Sequence, residues 1–414
     1  MLSGTARIPG DKSISHRALI LAALAVGESR IDNLCDGGDV VATMTALSAM
    51  GARIEPAGGA AWTVHGVGVG GLLQPRAPFD LGNSGTSARL LMGLVASHKI
   101  AAEFAGDASL SRRPMDRVAA PLRRIGASIS GDRLPLRIAG ASPAVPARHR
   151  LEIPSAQVKS ALLLAGLNTP GITELIEPVP TRDHTERMLA LFGADLERGE
   201  KRIALRGEAE LRPRQLDIPG DASAAAFLAV AALIVPGSEV RINGVGVNPT
   251  RMGLYEVLRE MGADLTFSNR REISNEPVAD LLVRHSALAA VEVPPEIAPR
   301  MIDEYPILCV AAAFAAGTTR MRGLAELRLK ESDRIAAMAP LGARAEGDGL
   351  AVDGSGGAPL AGGFTVDPAR DHRIAMSFAV AGLRAKEPIG VADMSPVATS
   401  FPGFLSALDA LQAP

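Results

Sequence analysis

The stretch Ile8-Pro9-Gly10-Asp11-Lys12-Ser13-Ile14-Ser15-His16-Arg17 runs straight into the apolar Ala18-Leu19-Ile20-Leu21-Ala22-Ala23-Leu24, and 210 residues later its start returns as Pro219-Gly220-Asp221-Ala222-Ser223. A turn, an acidic cap and hydroxyls ahead of an apolar run mark the start of a helix. Backbone N–H groups without partners point out of such a helix end, and the dipole there favours negative charge. Lys12 and Arg17 add full positive charges to the mouth, so the first copy reads as an anion site. The second copy keeps the turn, the Asp and the Ser but has Ala222 in place of Lys12. The shared frame is therefore structural, and the Lys is what needs a chemical explanation.

The chain has 414 residues, 47% hydrophobic and 21% charged, with a formal net charge of -2. That length suits two domains with ample core. Near-neutral charge argues against a general nucleic-acid binder, so an anion site here is local and suits small acidic metabolites. Two cysteines, Cys35 and Cys309, provide no disulfide framework, and the start of the chain lacks the apolar core of a signal peptide. The expectation is a cytoplasmic monomer with small-molecule partners, no nucleic acid and no membrane. Apolar runs such as 224–235 and 307–316 are too short for a bilayer span and read as buried helices.

Internal repeats organise the rest. A helix-like segment, then Gly-Ala, then a new apolar run recurs at Met50-Gly51-Ala52, Ile125-Gly126-Ala127, Phe192-Gly193-Ala194, Met261-Gly262-Ala263 and Leu341-Gly342-Ala343, at intervals of 67 to 80 residues. Glycine there is the residue expected just past a helix C-terminus, freeing the chain to enter a strand. A sixth copy is decayed at 389–411, with Asp409 where the glycine belongs.

Each copy also carries a helix rich in small residues, entered at Pro9-Gly10-Asp11-Lys12-Ser13, Leu81-Gly82-Asn83-Ser84-Gly85-Thr86, Ile153-Pro154-Ser155-Ala156-Gln157, Ile218-Pro219-Gly220-Asp221-Ala222-Ser223, Met301-Ile302-Asp303-Glu304-Tyr305 and Asp371-His372-Arg373. Small residues allow close approach, so these helices are expected inside and the more charged Gly-Ala helices outside. The fold class is α/β, as two halves of three units. Because the opening motif and its echo lie three units apart, the chain is expected to cross between domains near residues 11 and 219. That gives an N-terminal domain of 12–218 and a second of 1–11 plus 219–414. The uneven spacings favour closed domains over a solenoid.

Charged residues concentrate at the helix entrances. The inner ones carry Lys12, Ser13, Arg17, Asn83, Thr86, Arg89, Ser155, Gln157, Lys159, Asp303, His372 and Arg373, and the outer ones Asp39, Arg112, Arg113, Arg182, Asp183, His184, Arg251, Lys330, Glu331, Asp333 and Arg334. If the inner helices of both halves aim their N-termini at one cleft, that cleft suits ligands with several phosphates and carboxylates.

Six motifs in order, Pro9 to Arg17, Leu81 to Thr86, Arg113-Pro114-Met115, Ser155-Ala156-Gln157, Lys330-Glu331-Ser332-Asp333-Arg334 and Asp371-His372-Arg373, closely resemble the 5-enolpyruvylshikimate-3-phosphate synthase family. The resemblance spans nearly the whole chain. It implies transfer of the enolpyruvyl group of phosphoenolpyruvate to the 5-hydroxyl of shikimate 3-phosphate, in the pathway to aromatic amino acids, with no organic cofactor and no catalytic metal. It also implies two domains, each an inside-out α/β barrel of three βαβαββ units. By match, Lys12 touches both substrates. Ser13, Arg17, Ser155, Ala156, Gln157, Arg182, Asp303 and Lys330 fall to shikimate 3-phosphate. Asn83, Gly85, Arg113, Gln157, Arg334 and Arg373 fall to phosphoenolpyruvate, whose phosphate and carboxylate suit the guanidinium fork.

The reaction needs a proton removed from the sugar hydroxyl and one delivered to the methylene carbon. Asp303 and Glu331 are the candidates for these steps, in that order, with Lys12 a third; letters alone do not divide the work among them. Asp39 reads equally as a weaker candidate or a helix cap. In one departure from the family pattern, Thr399-Ser400-Phe401-Pro402 stands where many relatives place a Lys before Phe-Pro. Gly85 stands where some bacterial relatives carry an Ala that crowds glyphosate, so this chain is expected to be glyphosate-sensitive. A related transferase acting on UDP-N-acetylglucosamine carries a loop cysteine where this chain has Gly106-Asp107-Ala108-Ser109. A phosphate-loop hydrolase is disfavoured because the Gly-Lys-Ser spacing is missed, and a purely binding protein because it has no use for the paired acids. His16, His184 and His372 are too scattered for a metal set, although Asp183-His184 and Asp371-His372 resemble parts of one.

Overall fold

In the computed structural model, which describes residues 1–412, the five Gly-Ala glycines all adopt the left-handed backbone, with φ between 80° at Gly342 and 106° at Gly126. In four copies the alanine N–H reaches back to the carbonyl five residues earlier: Ala52 to Leu47, Ala127 to Leu122, Ala194 to Leu189 and Ala263 to Leu258, at 2.9 to 3.3 Å. This bond closes the last helical turn, and only a residue free of the Cβ penalty sits comfortably before it. A strand follows each time, as at Arg53–Pro56 and Asp264–Ile273.

Those strands complete five four-stranded sheets and leave a sixth of two. Each four-stranded sheet runs from a short leading strand, paired in parallel, to an antiparallel pair of later strands. In the second copy, for example, Phe79–Asp80 pairs with Ala101–Ala105, which pairs with Leu136–Ala139 and then Ser128–Ser130. Two leading strands come from distant sequence. Gln215–Asp217 lies parallel to Val26–Asp32, and Ser3–Ala6 lies parallel to Glu239–Gly246. The chain divides into two compact units accordingly, residues 10–218 with 273–276, and residues 1–9, 219–272 and 277–414. Gly10 and Asp11 fall in the first unit because Gly10 packs on the Asn33 carbonyl and Asp11 caps the first helix. Residues 273–276 join it because the Asp217 N–H donates to Ser274 Oγ and Arg187 donates to the Asn275 carbonyl.

The Ala-rich helices form the interior of each unit. Every residue of Ala222–Ile234 is buried, as is nearly all of Lys12–Leu24, Gly85–Ala96 and Ala156–Leu167. A helix apolar on all sides has no face to offer water. The outer Asp116–Arg124, by contrast, buries only Val118, Ala119 and Leu122. In the fifth copy the outer helix shrinks to Arg334–Ala337, followed by a 3-10 turn at Ala339–Leu341 that contains Pro340. The sixth sheet is only Phe364–Val366 beside Ile389–Val391, and the chain then turns back so that the Ser3 N–H donates to the Leu411 carbonyl at 2.7 Å.

Candidate active site

In the first unit Asp11 caps the helix Lys12–Leu24 by accepting the Ile14 N–H at 2.9 Å. Lys12 therefore sits in the first turn, and its Nζ donates to Oδ2 of Asp39 at 2.9 Å, in the first turn of the helix Gly38–Ala49. Asp39 is an ion-pair partner, since Gly37 occupies that helix's cap. The buried Arg17 donates from Nε to Thr185 Oγ1 at 2.6 Å, from Nη1 to the Ser13 carbonyl at 2.7 Å and from Nη2 to Ser160 Oγ at 2.7 Å. Burial brings its pKa down to about 10, against the pull of the Glu186 and Asp11 carboxylates, and the nearby Arg182 charge lowers it further. Beside Lys12, His16 packs its Nδ1 on Thr43 Oγ1 at 2.8 Å. Burial, then the Lys12 and Arg17 charges, hold this imidazole well below its ordinary pKa.

A second group gathers where two inner helices touch. Gly93 lies so close to the neighbouring helix that a Cβ would stand 2.1 Å from the Ala161 carbonyl oxygen. That contact brings the mouths of Gly85–Ala96 and Ala156–Leu167 together. Gln157 accepts from Arg89 Nη1 at 2.8 Å and donates to Thr86 Oγ1 at 2.9 Å. Arg113, held at the end of Ala108–Arg112, donates to Oδ1 of Asn83 and to Ser109 Oγ, the latter at 3.2 Å. Arg89 and Arg113 so crowd Gly85 that a Cβ there would lie 2.8 and 3.0 Å from their Nη1 atoms. Ser155 caps its helix, accepting the Val158 N–H at 3.4 Å, and Ala156 opens it with a backbone N–H the helix does not use. Lys159, one turn further in, is turned into the interior, where it pairs with Glu177 at 3.0 Å and Glu186 at 2.8 Å.

In the other unit the centre is Arg334, 1% exposed. Its Nε donates to Oδ2 of Asp371 at 2.8 Å, its Nη2 to Oε2 of Glu331 at 2.6 Å, and its Nη1 to Oδ1 of Asp303 at 3.4 Å. Burial works against this charge, yet Asp371, Glu331 and Asp303 raise its pKa above the ordinary arginine value. Lys330 Nζ reaches the same Asp303 oxygen at 3.3 Å. Asp371 also caps the helix His372–Gly382 by accepting the Arg373 N–H at 2.9 Å. Arg373 Nη1 lies 3.7 Å from Oε1 of Glu304. Thr399 donates to the Pro396 carbonyl at 2.7 Å. Lys12, Ser13, Arg17, Asn83, Gly85, Arg113, Ser155, Ala156, Gln157 and Arg182 thus share one unit, and Asp303, Lys330, Glu331, Arg334 and Arg373 the other.

The sequence motifs assigned no substrate or proton-transfer role to Asp371, Glu304 or Arg89, although Arg89 stands among the helix-entrance residues and the other two lie inside entrance motifs. The available signal was position, since each is within a turn of a motif residue at a helix mouth. Asp183 is engaged by Arg187 at 2.9 Å and Arg198 at 2.7 Å, and His184 by Glu276 at 2.7 Å. Among the described residues no group of three or more His, Cys, Asp or Glu is arranged to hold a metal ion, and no helix is long and apolar enough to cross a membrane.

Triplets of sheets around interior helices, with arginines and carboxylates at the helix mouths, define an enolpyruvyl transferase-like fold. Residues 1–408 match the family pattern of EPSP synthase (3-phosphoshikimate 1-carboxyvinyltransferase), and the chain belongs to that family. A 3-phosphoshikimate 1-carboxyvinyltransferase of Sphingopyxis alaskensis is 60% identical, covering 99% of this chain and 96% of its own. One from Novosphingobium aromaticivorans is 55% identical over 100% of this chain and 98% of its own. Among solved structures, EPSP synthase from Acinetobacter baumannii superposes with a TM-score of 0.87 at 43% identity, covering 99% of this chain and 96% of that one. The enolpyruvyl transferase NikO from Streptomyces tendae, at 20% identity and a TM-score of 0.79 over 100% of this chain and 95% of its own, shares the fold.

Proposed function

We propose that the helix-mouth residues of these groups carry out the enolpyruvyl transfer of this family. The enolpyruvyl group of phosphoenolpyruvate moves to the 5-hydroxyl of shikimate 3-phosphate and phosphate leaves, a step of aromatic amino acid biosynthesis. Lys12 contacts both substrates. Ser13, Arg17, Ser155, the Ala156 backbone, Gln157, Arg182, Asp303 and Lys330 hold shikimate 3-phosphate. Asn83, Gly85, Arg113, Gln157, Arg334 and Arg373 hold phosphoenolpyruvate. The functional domains are the two compact units, 10–218 with 273–276 and 1–9 with 219–272 and 277–414, in a cytoplasmic monomer.

Chemically, the sugar oxygen adds to the substituted carbon of phosphoenolpyruvate as its methylene carbon takes a proton. The tetrahedral adduct then loses phosphate and a methyl proton. Asp303 receives the hydroxyl proton and Glu331 serves the carbon, with Lys12 able to assist either. The observation that carries this reading is that one buried guanidinium, Arg334, engages both acids. Cations beside a carboxylate favour its ionised, proton-accepting form.

The test is phosphate release on mixing the protein with shikimate 3-phosphate and phosphoenolpyruvate, with UDP-N-acetylglucosamine as the control acceptor. Turnover with the first acceptor is expected. Turnover with the control alone overturns the proposal.

A further inference from the structure

We infer that Glu304 is a positioning residue for phosphoenolpyruvate: it aims Arg373, while the adjacent Asp303 engages Arg334. The inference rests on the proposed ligand role of Arg373. Asp303 and Glu304 are consecutive residues just ahead of the helix Tyr305–Phe314, and each faces one of the two arginines. Glu304 itself is 3% exposed. Its Oε1 accepts from the Ser223 hydroxyl and lies 4.0 Å from Arg251 Nη2 and 3.7 Å from Arg373 Nη1. Its Oε2 is buried with no hydrogen-bond partner. A buried carboxylate is costly, so its charge calls for a reason beyond packing.

The geometry supplies one. At 3.7 Å the Arg373 guanidinium is attracted to Glu304 but does not hydrogen-bond it. Among the described residues that guanidinium donates no hydrogen bond, while its backbone N–H is fixed by the cap at Asp371. The charge is therefore steered and its forked donors are left for a ligand carboxylate or phosphate. Arg334, by contrast, has its donors engaged by three carboxylates. Glu304 is in turn held in place. Arg251 Nη2 donates to Ser223 Oγ at 2.7 Å and faces Asp221 Oδ1 at 3.4 Å, so the mouth of the helix Ala222–Ile234 buttresses the carboxylate.

The experiment compares steady-state kinetics of the wild-type chain, Glu304→Gln, Arg373→Lys and the double variant, with both substrates varied. Glu304→Gln keeps the shape and removes the charge. It is expected to raise KM for phosphoenolpyruvate about tenfold and to leave KM for shikimate 3-phosphate within about twofold. In the Arg373→Lys background it is expected to add little, because the two changes act through one guanidinium. Equal rises in both KM values, full additivity in the double variant, or an unchanged KM for phosphoenolpyruvate overturn the inference. Should Glu304→Gln fail to fold, Ser223→Ala decides: the same selective rise, of smaller size, supports the inference and its absence overturns it. A wild-type chain that turns over neither substrate overturns instead the functional reading beneath.

Discussion

The Nζ of Lys12 lies 2.9 Å from Oδ2 of Asp39, joining the mouths of the first inner and first outer helices. In the repeat that begins at Pro219 the cation comes from the other side. Ala222 replaces the Lys, and Arg251, ahead of the helix Gly253–Glu260, reaches back to Asp221 and Ser223. Lys12 is thus dispensable to the frame, since the second copy forms the same turn without it. With the pair only 13% and 11% exposed, losing the lysine is expected to lower stability without changing the fold. Lys12→Ala is expected to cut kcat by at least about a hundredfold, as for loss of a proton-transfer group, with an unchanged circular dichroism spectrum. Near-normal turnover would remove Lys12 from the mechanism.

Gly85 offers a second handle. A methyl group there meets the Nη1 atoms of Arg89 and Arg113 at 2.8 and 3.0 Å, and both arms are tethered, to Gln157 and to Asn83. Gly85→Ala is expected to displace these cations, raising KM for phosphoenolpyruvate several-fold and the half-inhibiting glyphosate concentration by about tenfold or more. Inhibition assays at limiting phosphoenolpyruvate check both. A wild-type chain that keeps full activity in millimolar glyphosate defeats the reading.

The repeat frame was legible because helix termination has a strong local code. Glycine then alanine after an apolar residue is enough to specify the left-handed cap, and the loss of that glycine at Asp409 coincides with a sheet cut to two strands. The Ala-rich stretches were legible as interior helices for a similar reason, since nothing on them needs water. Side-chain partners were not legible. Lys159 and Gln157 are two residues apart at the same helix mouth, yet one faces Glu177 and Glu186 inside and the other faces Arg89. Two helix positions differ by roughly 200° in direction, and which side holds the carboxylates depends on elements distant in sequence. The Glu304–Arg373 and Asp371–Arg334 pairs escaped for the same reason.

Arg334 and Arg373 are expected to respond differently to the same change. Arg334→Lys replaces a planar fork by a point charge and leaves Asp371, fully buried, without its two-armed partner. A loss of about 3 kcal/mol in stability is expected, with activity falling at least about a hundredfold. Arg373→Lys is expected to cost clearly less, because the charge is kept and its guanidinium has no hydrogen bond to Glu304 to lose at 3.7 Å. Urea unfolding of the two variants makes the comparison. Equal destabilisation would contradict the view that Arg334 is locked and Arg373 poised.

His16 gives the fold a pH dependence with a definite sign. Burial and the charges of Lys12 and Arg17 push its folded-state pKa well below the ordinary value, and burial lowers those of His98 and His149 as well. The unfolded chain takes up protons near pH ~6.5, where these folded imidazoles do not. Stability is therefore full above that pH and declines as the pH falls through it, by up to about 1.4 kcal/mol per pH unit for each such histidine. Unfolding free energies from urea titrations at about pH 7.5 and about pH 5.5 should show the decline, and His16→Asn, which keeps a polar partner for Thr43, should make it shallower. A free energy constant over this range, or an unaltered slope in the variant, would mean that His16 is accommodated as a cation beside Lys12 after all.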